Sequence, residues 1–245
     1  MKNLLTLLLA SAAWMGTGAI ALADQRPVII TELFTSQGCN SCPPADAYMS
    51  ELKKRDDVLP LSFNVDYWDY LGWKDTLGRK EWTDRQRAYH KSLHNGVYTP
   101  QLVIGGTVDV VGSDRNRANQ LIKEWASHAP QVELTADSQG LPGPIKISIG
   151  ALAKAPASGL WLVRYDPEEI VPIGRGENGG RTITYHNVVR SLTLLGPYKG
   201  MATQIIVPAE ALQGNQKAVV MLQTEGNGPI LGALRLGSDK SAALR

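Results

Sequence analysis

The sequence predicts an α/β unit followed by an all-β unit built as an antiparallel sandwich. Three observations predict it. Near the start, a β-branched run, Val28 to Phe34, passes through a turn into a segment of helical periodicity and then a second strand. After Pro130 helical periodicity nearly vanishes, and Gly and Pro become frequent. From there on about seven short runs, separated by turn residues, read as strands.

Taken in order, residues 1–23 read as a signal peptide. Lys2 gives a positive start, Leu4 to Ala13 is almost wholly apolar, and Ala21-Leu22-Ala23 forms a small-residue exit before Asp24. The rival is an uncleaved anchor, since Asn3 to Ala23 carries no charge and is long enough to span a bilayer. Gly16-Thr17-Gly18 interrupts that stretch and favours cleavage. No cysteine stands at the exit to take a lipid. The expectation is a periplasmic or secreted protein with no membrane association once the signal is cut.

Residues 24–129 make the α/β unit. Ala45, Tyr48, Met49 and Leu52 recur at helical spacing, and Pro43 and Pro44 sit in the first turn, where proline is tolerated. Leu59 to Val65 is the second strand. Residues 66–98 form a helical and aromatic insert, with Tyr67, Trp68, Tyr70 and Trp73 first and then a helix from Arg79 to His94 striped by Trp82, Gln86, Tyr89 and Leu93. Leu102 to Val111 reads as a hairpin turning at Gly105-Gly106. Ser113 or Asp114 caps a final helix whose apolar face is Ala118, Leu121, Ile122 and Trp125. Residues 130–245 make the β unit, with strands expected at Val132–Ala136, Ile145–Ile149, Leu160–Tyr165, Thr182–Leu194 (broken), Thr203–Val207, Ala218–Gln223 and Ile230–Leu236. No repeat or low-complexity linker separates the halves, so they are expected to pack closely.

Composition narrows the function classes. Hydrophobic residues at 43% and charged residues at 20% describe a globular chain with a real core. Lys and Arg number 25 against 23 Asp and Glu, and that balance argues against a nucleic-acid partner.

The two cysteines of the chain, Cys39 and Cys42, stand three apart at the expected helix start. A helix N-terminus favours negative charge and lowers a thiol pKa. Cys39 is then expected to be exposed and to attack a partner disulfide, and Cys42, beneath it, to resolve the mixed disulfide. Exchange of this kind runs on sulfur alone and calls for no cofactor. Three plainer readings compete: a static disulfide, half of a zinc site with His90 and His94, and an inactive remnant. Thr99-Pro100 adds to the first reading by placing a proline at the start of a strand just after the insert.

Glu32-Leu33-Phe34-Thr35-Ser36-Gln37-Gly38-Cys39-Asn40-Ser41-Cys42-Pro43-Pro44-Ala45, Val65 to Trp73, Arg85 to Tyr89, Val97 to Gln101, Arg175 to Asn178 and Asn187 to Arg190 together carry a resemblance. The chain resembles the secreted bacterial family of domain of unknown function 1223. Residues 27–128 look like a thioredoxin-fold domain. The resemblance implies a thioredoxin-like domain followed by a β-rich one, and a cis Thr99–Pro100 peptide beside the cysteines. It implies no established reaction. The chain departs from ordinary thioredoxins in having Gly38 before the first cysteine and Asn40-Ser41 between the pair. Glu32 is a candidate for the buried acid that shuttles a proton to Cys42, one residue out of the usual register; the other reading is a plain strand-face Glu.

Tyr67 and Trp68 follow the second strand, at the same sheet edge as the cysteines, and with Thr99 are candidates to bind substrate. The alternative is that these rings cover the insert's own core. The glycine-rich stretch Gly174 to Arg181 lacks phosphate-loop spacing and reads as a long hairpin loop. The function expected is exported thiol–disulfide exchange on a protein or small-molecule thiol or disulfide. The alternative is a non-catalytic binding protein with a structural disulfide.

Overall fold

The computed structural model describes residues 28–127, 132–138, 143–212 and 214–236. The expected signal peptide, 1–23, and the expected boundary at 129/130 lie outside these residues. The elements in order are β1 (Ile29–Thr35), α1 (Pro43–Leu52), β2 (Val58–Asn64), α2 (Lys80–Leu93), β3 (Gln101–Ile104), β4 (Val108–Val111), α3 (Arg115–Ala126), β5 (Leu134–Ser138), β6 (Ile145–Ile149), β7 (Ser158–Pro172), β8 (Thr182–Tyr198), β9 (Thr203–Val207), β10 (Lys217–Thr224) and β11 (Ile230–Leu236).

The main sheet has eight strands in the order β11-β10-β7-β8-β2-β1-β3-β4. β1 and β2 are parallel and wholly buried, as strands covered on both faces must be. Side chains alternate across β1. Ile29 and Leu33 pack with Ala45, Tyr48 and Met49 of α1 and Leu121 and Ile122 of α3. Ile30 and Phe34 pack with Trp82 and Tyr89 of α2 on the other face. Asp114 caps α3 by accepting from the Arg117 amide.

The long hairpin β7–β8 joins the two halves. Register shifts between Leu160/Trp161 and Arg164/Tyr165 bend it, as bulges do. Beyond the bend β8 runs parallel to β2, pairing Val188 with Ser62. The Ser62 hydroxyl donates to the His186 carbonyl and the Asn187 amide side chain to the Pro60 carbonyl, both at 2.8 Å. At the far edge the Ile230 amide donates to the Gly105 carbonyl, so the sheet curls round α2. Val163, Val219 and Met221 thereby join the same core as Phe34 and Phe63.

A second sheet, β5-β6-β9, lies on the β7, β10 and β11 end of the main sheet. Ile147 and Val207 meet Leu160, Leu162, Val220 and Leu222 there.

This architecture overturns the expected fold class, a thioredoxin-like α/β domain followed by a separate antiparallel sandwich. The protein is mostly β, and a single mixed sheet runs through both halves. Four strands assigned to a sandwich, β7, β8, β10 and β11, extend the sheet begun by β1 and β2. The physical reason is the edge of β2, which would otherwise leave backbone donors and acceptors unpaired. β8 supplies its partner by continuing for 17 residues where a broken strand was expected.

Candidate functional site

The turn from Ser36 to Cys42 joins β1 to α1 and carries the cysteine pair. Cys39 and Cys42 form a disulfide with Cα atoms 5.4 Å apart. The turn is held through its backbone. The Gln37 amide donates to Asp75 Oδ2 at 2.8 Å, and Asp75 also accepts from the Asn64 side chain and the Leu77 amide. The Gln37 side chain accepts from the Trp73 indole at 2.7 Å and donates to Thr76 Oγ1 at 3.0 Å.

The tip of the β7–β8 hairpin reaches the same turn. Asn178 is fully buried, and its side-chain amide donates to the Gln37 and Cys39 carbonyls, each at 2.9 Å. Arg181 in turn donates to Asn178 Oδ1 at 3.0 Å. Gly174 and Gly176 let the tip lie flat on Trp73; a methyl group on Gly174 would stand 3.1 Å from that ring.

Pro100 borders the pair from a third side. The Thr99–Pro100 peptide is cis, and the Cys39 Sγ lies 3.8 Å from the Thr99 carbonyl oxygen. The Trp68 indole donates to Thr99 Oγ1 at 2.8 Å. Tyr67 and Tyr70 flank Trp68, with ring centroids at 5.7 and 6.3 Å. The fold therefore gathers Cys39, Cys42, Trp68, Thr99 and Pro100 around one point, with Tyr67 beside them.

Two expectations are corrected here. Cys39 was expected to be exposed, but it is 3% exposed. Glu32, the candidate proton shuttle, sits on the wrong face of β1. With Ile30 and Phe34 it points toward α2, whereas the cysteines start α1 on the opposite face. Glu32 is held bidentately by Arg85, with both bonds at 2.7 Å, and accepts from Tyr89 at 2.9 Å. Gln223 of β10 and Asn227 complete the shell around Arg85.

The helix start also differs from the simple picture of free amides. Cys42 is the N-cap in helical conformation, and Pro43 and Pro44 follow it without N–H groups. The polar neighbour at sulfur is the Ser41 hydroxyl, 3.4 Å from Cys39 Sγ.

A buried acid does stand near the pair. The Asp46 amide donates to the Cys42 carbonyl at 3.1 Å, a helical i to i+4 bond. Residues four apart share a helix face, so Asp46 and Cys42 stand one turn apart on the same side of α1. Its Oδ1 accepts from Thr35 at 2.8 Å, and its Oδ2 is buried without a partner among the described residues. The Asp46 carboxyl is raised to about 8, by burial first, against the Thr35 hydrogen bond that lowers it and with the charge of Asp75 that raises it. Burial raises Asp75 as well, against its hydrogen bonds. Tyr185, from β8, is raised by burial and then by the charges of Asp46 and Asp75, and its hydroxyl has no partner among the described residues.

His90 and His94 are exposed near the C-terminal end of α2. Among the described residues no three His, Cys, Asp or Glu side chains gather to hold a metal. No helix among them is long and apolar enough to cross a membrane.

Sequence reasoning missed Asp46, Asp75 and Asn178. Asp46 carried a signal, its place four residues after Cys42 beside the apolar stripe. Asn178 lay in a glycine-rich loop and in a segment that carried the family resemblance, but nothing there pointed to the cysteine turn.

Fold and site together define a class: a mixed-sheet protein with a disulfide-bonded Cys-x-x-Cys pair at the start of a helix, roofed by loops from both halves. Residues 30–223 match the family model DUF1223, a protein of unknown function, and the chain belongs to that family. A crystal structure of an Agrobacterium tumefaciens protein is similar at 31% identity with a TM-score of 0.75, covering 88% of this chain and 97% of that one. HBP35 of Porphyromonas gingivalis shares the fold at 13% identity with a TM-score of 0.59, covering 89% of this chain and 77% of the other. No curated protein sequence matches the chain.

Proposed function

We propose that the protein performs thiol–disulfide exchange at Cys39–Cys42 in an oxidising compartment outside the cytoplasm. The observation that carries this reading is the disulfide at the head of α1, with a buried acid of raised pKa one helical turn behind Cys42. A partner thiolate attacks Cys39 Sγ. The new sulfur–sulfur bond forms as the Cys39–Cys42 bond breaks, and the electron pair leaves on Cys42. Asp46, neutral near pH 7, gives the Cys42 thiolate its proton. A second partner thiolate then attacks its own sulfur in the mixed disulfide and releases Cys39. The partner ends as a disulfide and the protein as a dithiol; the reverse sequence reduces a partner disulfide. Trp68, Tyr67 and Thr99 border the route to Cys39 and are assigned to partner binding.

Alkylation mass counting across glutathione and dithiothreitol buffers tests the reading. Two thiols should appear together and reversibly. Cys42→Ser should trap mixed disulfides through Cys39, and Cys39→Ser should trap none. A thiol count that never changes eliminates the proposal.

The low exposure of Cys39 and the Asn178 clamp favour a second reading, a structural clip in a binding protein. It predicts that a variant with both cysteines changed to Ser keeps its fold and its partner binding.

A further inference from the structure

Cys39 is 3% exposed, yet Asn40 and Ser41, the next two residues, are exposed. The sulfur is therefore covered near the surface rather than sunk in the core. Trp68 stands beside this turn, held at both ends. At one end the Trp68 β-carbon rests against the turn, where a methyl group on Gly38 would stand 3.0 Å away. At the other end the indole N–H donates to Thr99 Oγ1 at 2.8 Å. Gly38 precedes Cys39 in the chain, and the Thr99 carbonyl is 3.8 Å from Cys39 Sγ. Trp68 is thus set by its β-carbon and backbone against the turn before Cys39 and by its indole N–H on Thr99, whose carbonyl neighbours the sulfur. On its outer side it stacks on Tyr70, with the rings 6.3 Å apart and inclined by 21°, and Tyr70 is 76% exposed.

We infer that Trp68 is a gate over the disulfide, latched on Thr99, and that the gate selects peptide thiols with an aromatic side chain beside the cysteine. When the indole swings away it vacates two things: the stacking position on Tyr70 and the acceptor on Thr99. An aromatic residue next to a reactive cysteine fills the first while the peptide backbone satisfies the second. A small thiol fills neither. The inference rests on the exchange reading above, because it takes Cys39 as the sulfur to be reached.

The test begins with reduction of the full chain by a water-soluble trialkylphosphine, read as thiols formed over time. The probe needs no partner recognition. Trp68→Ala should react about tenfold faster than the parent, because the open fraction scales the apparent rate. Trp68→Phe and Thr99→Val each remove the latch and should each speed reduction by up to about fivefold. The double variant should be no faster than Trp68→Phe alone, since both changes break one bond. Rates within about twofold of the parent in all variants overturn the gate. Independent, multiplying effects of Trp68→Phe and Thr99→Val overturn the latch. Should Trp68→Ala fail to fold, the Phe and Val variants decide.

A second arm compares cysteine peptides flanked by Tyr or by Gly. The Tyr peptide should exchange faster, and Tyr70→Ala should erase the difference; equal rates in the parent overturn the selectivity. Faster phosphine reduction without exchange against any peptide keeps the gate and defeats both the exchange reading and the peptide class. Peptide exchange with unchanged phosphine rates defeats the gate alone.

Discussion

Two buried acids lie on opposite sides of β1, and they are treated in opposite ways. Glu32 faces α2 and has every oxygen engaged, by Arg85 and Tyr89. Asp46 faces the sheet from α1 and has one oxygen bonded to Thr35 and the other bonded to nothing described. The first is a charge pair taken out of water whole. The second is a single carboxyl that burial keeps protonated to about pH 8. The difference teaches that burial alone does not mark a reactive acid. The bland outcome is complete satisfaction, and the acid with capacity left over sits one helical turn from the disulfide.

Four measurements break or sharpen that comparison. The largest effect is expected on the satisfied side. Arg85→Met leaves the buried Glu32 carboxyl without its ion partner, and the urea midpoint should report a loss of about 3–5 kcal/mol. Pairing it with Glu32→Gln should recover part of that loss. Full stability in the single variant would mean that the pair is not closed to water.

Next comes the pH dependence of Asp46. Its folded pKa is raised from 3.8 to about 8, so the folded state holds a proton that the unfolded state releases. The stability this contributes is fully present below the unfolded value and drains away as pH rises toward 8. Between pH 6 and pH 8 the fall should be on the order of 2 kcal/mol, and Asp46→Asn should flatten the profile. A residual slope of the same sign belongs to Asp75, whose pKa is raised in the same direction. An unchanged profile in Asp46→Asn would remove the contrast between the two acids.

A smaller effect is expected from Asn178→Ala, which strips the donor from two buried carbonyls and should cost about 1–2 kcal/mol by thermal or urea unfolding. The smallest is the control on α2. The Lys80–Asp84 pair is exposed, and Lys80→Ala should change stability by less than about 0.5 kcal/mol. A loss comparable to that of Arg85→Met would show that burial does not separate the two ion pairs.

Much of the local structure was legible because local rules decide it. Pro43-Pro44 marked the start of α1, Gly105-Gly106 the β3–β4 turn, and Ser113 or Asp114 the cap of α3, which the structure gives to Asp114. The face of Glu32 was not legible. Ile29 and Leu33 are as apolar as Ile30 and Phe34, so alternation shows two buried faces and does not say which one carries α1. The joining of the two halves was hidden for a related reason. Strand runs identify strands, but the choice of partner for β8 depends on a β2 edge more than a hundred residues earlier in the chain. The site divides the same way. Cys39, Cys42 and Pro100 stand out by residue type and order. Asn178 acts through a loop that only the β7–β8 bend brings into reach.

That bend has a consequence for how the protein could ever be reused. The disulfide belongs to the first half of the chain, and its ceiling is contributed by the second. Transplanting residues 28–127 into another host would carry the sulfurs and Trp68 but leave behind the amide that grips the Gln37 and Cys39 carbonyls and the strand that finishes β2. The smallest portable unit of this disulfide turn is therefore the pair of halves together, and inheritance would have to pass them on as one.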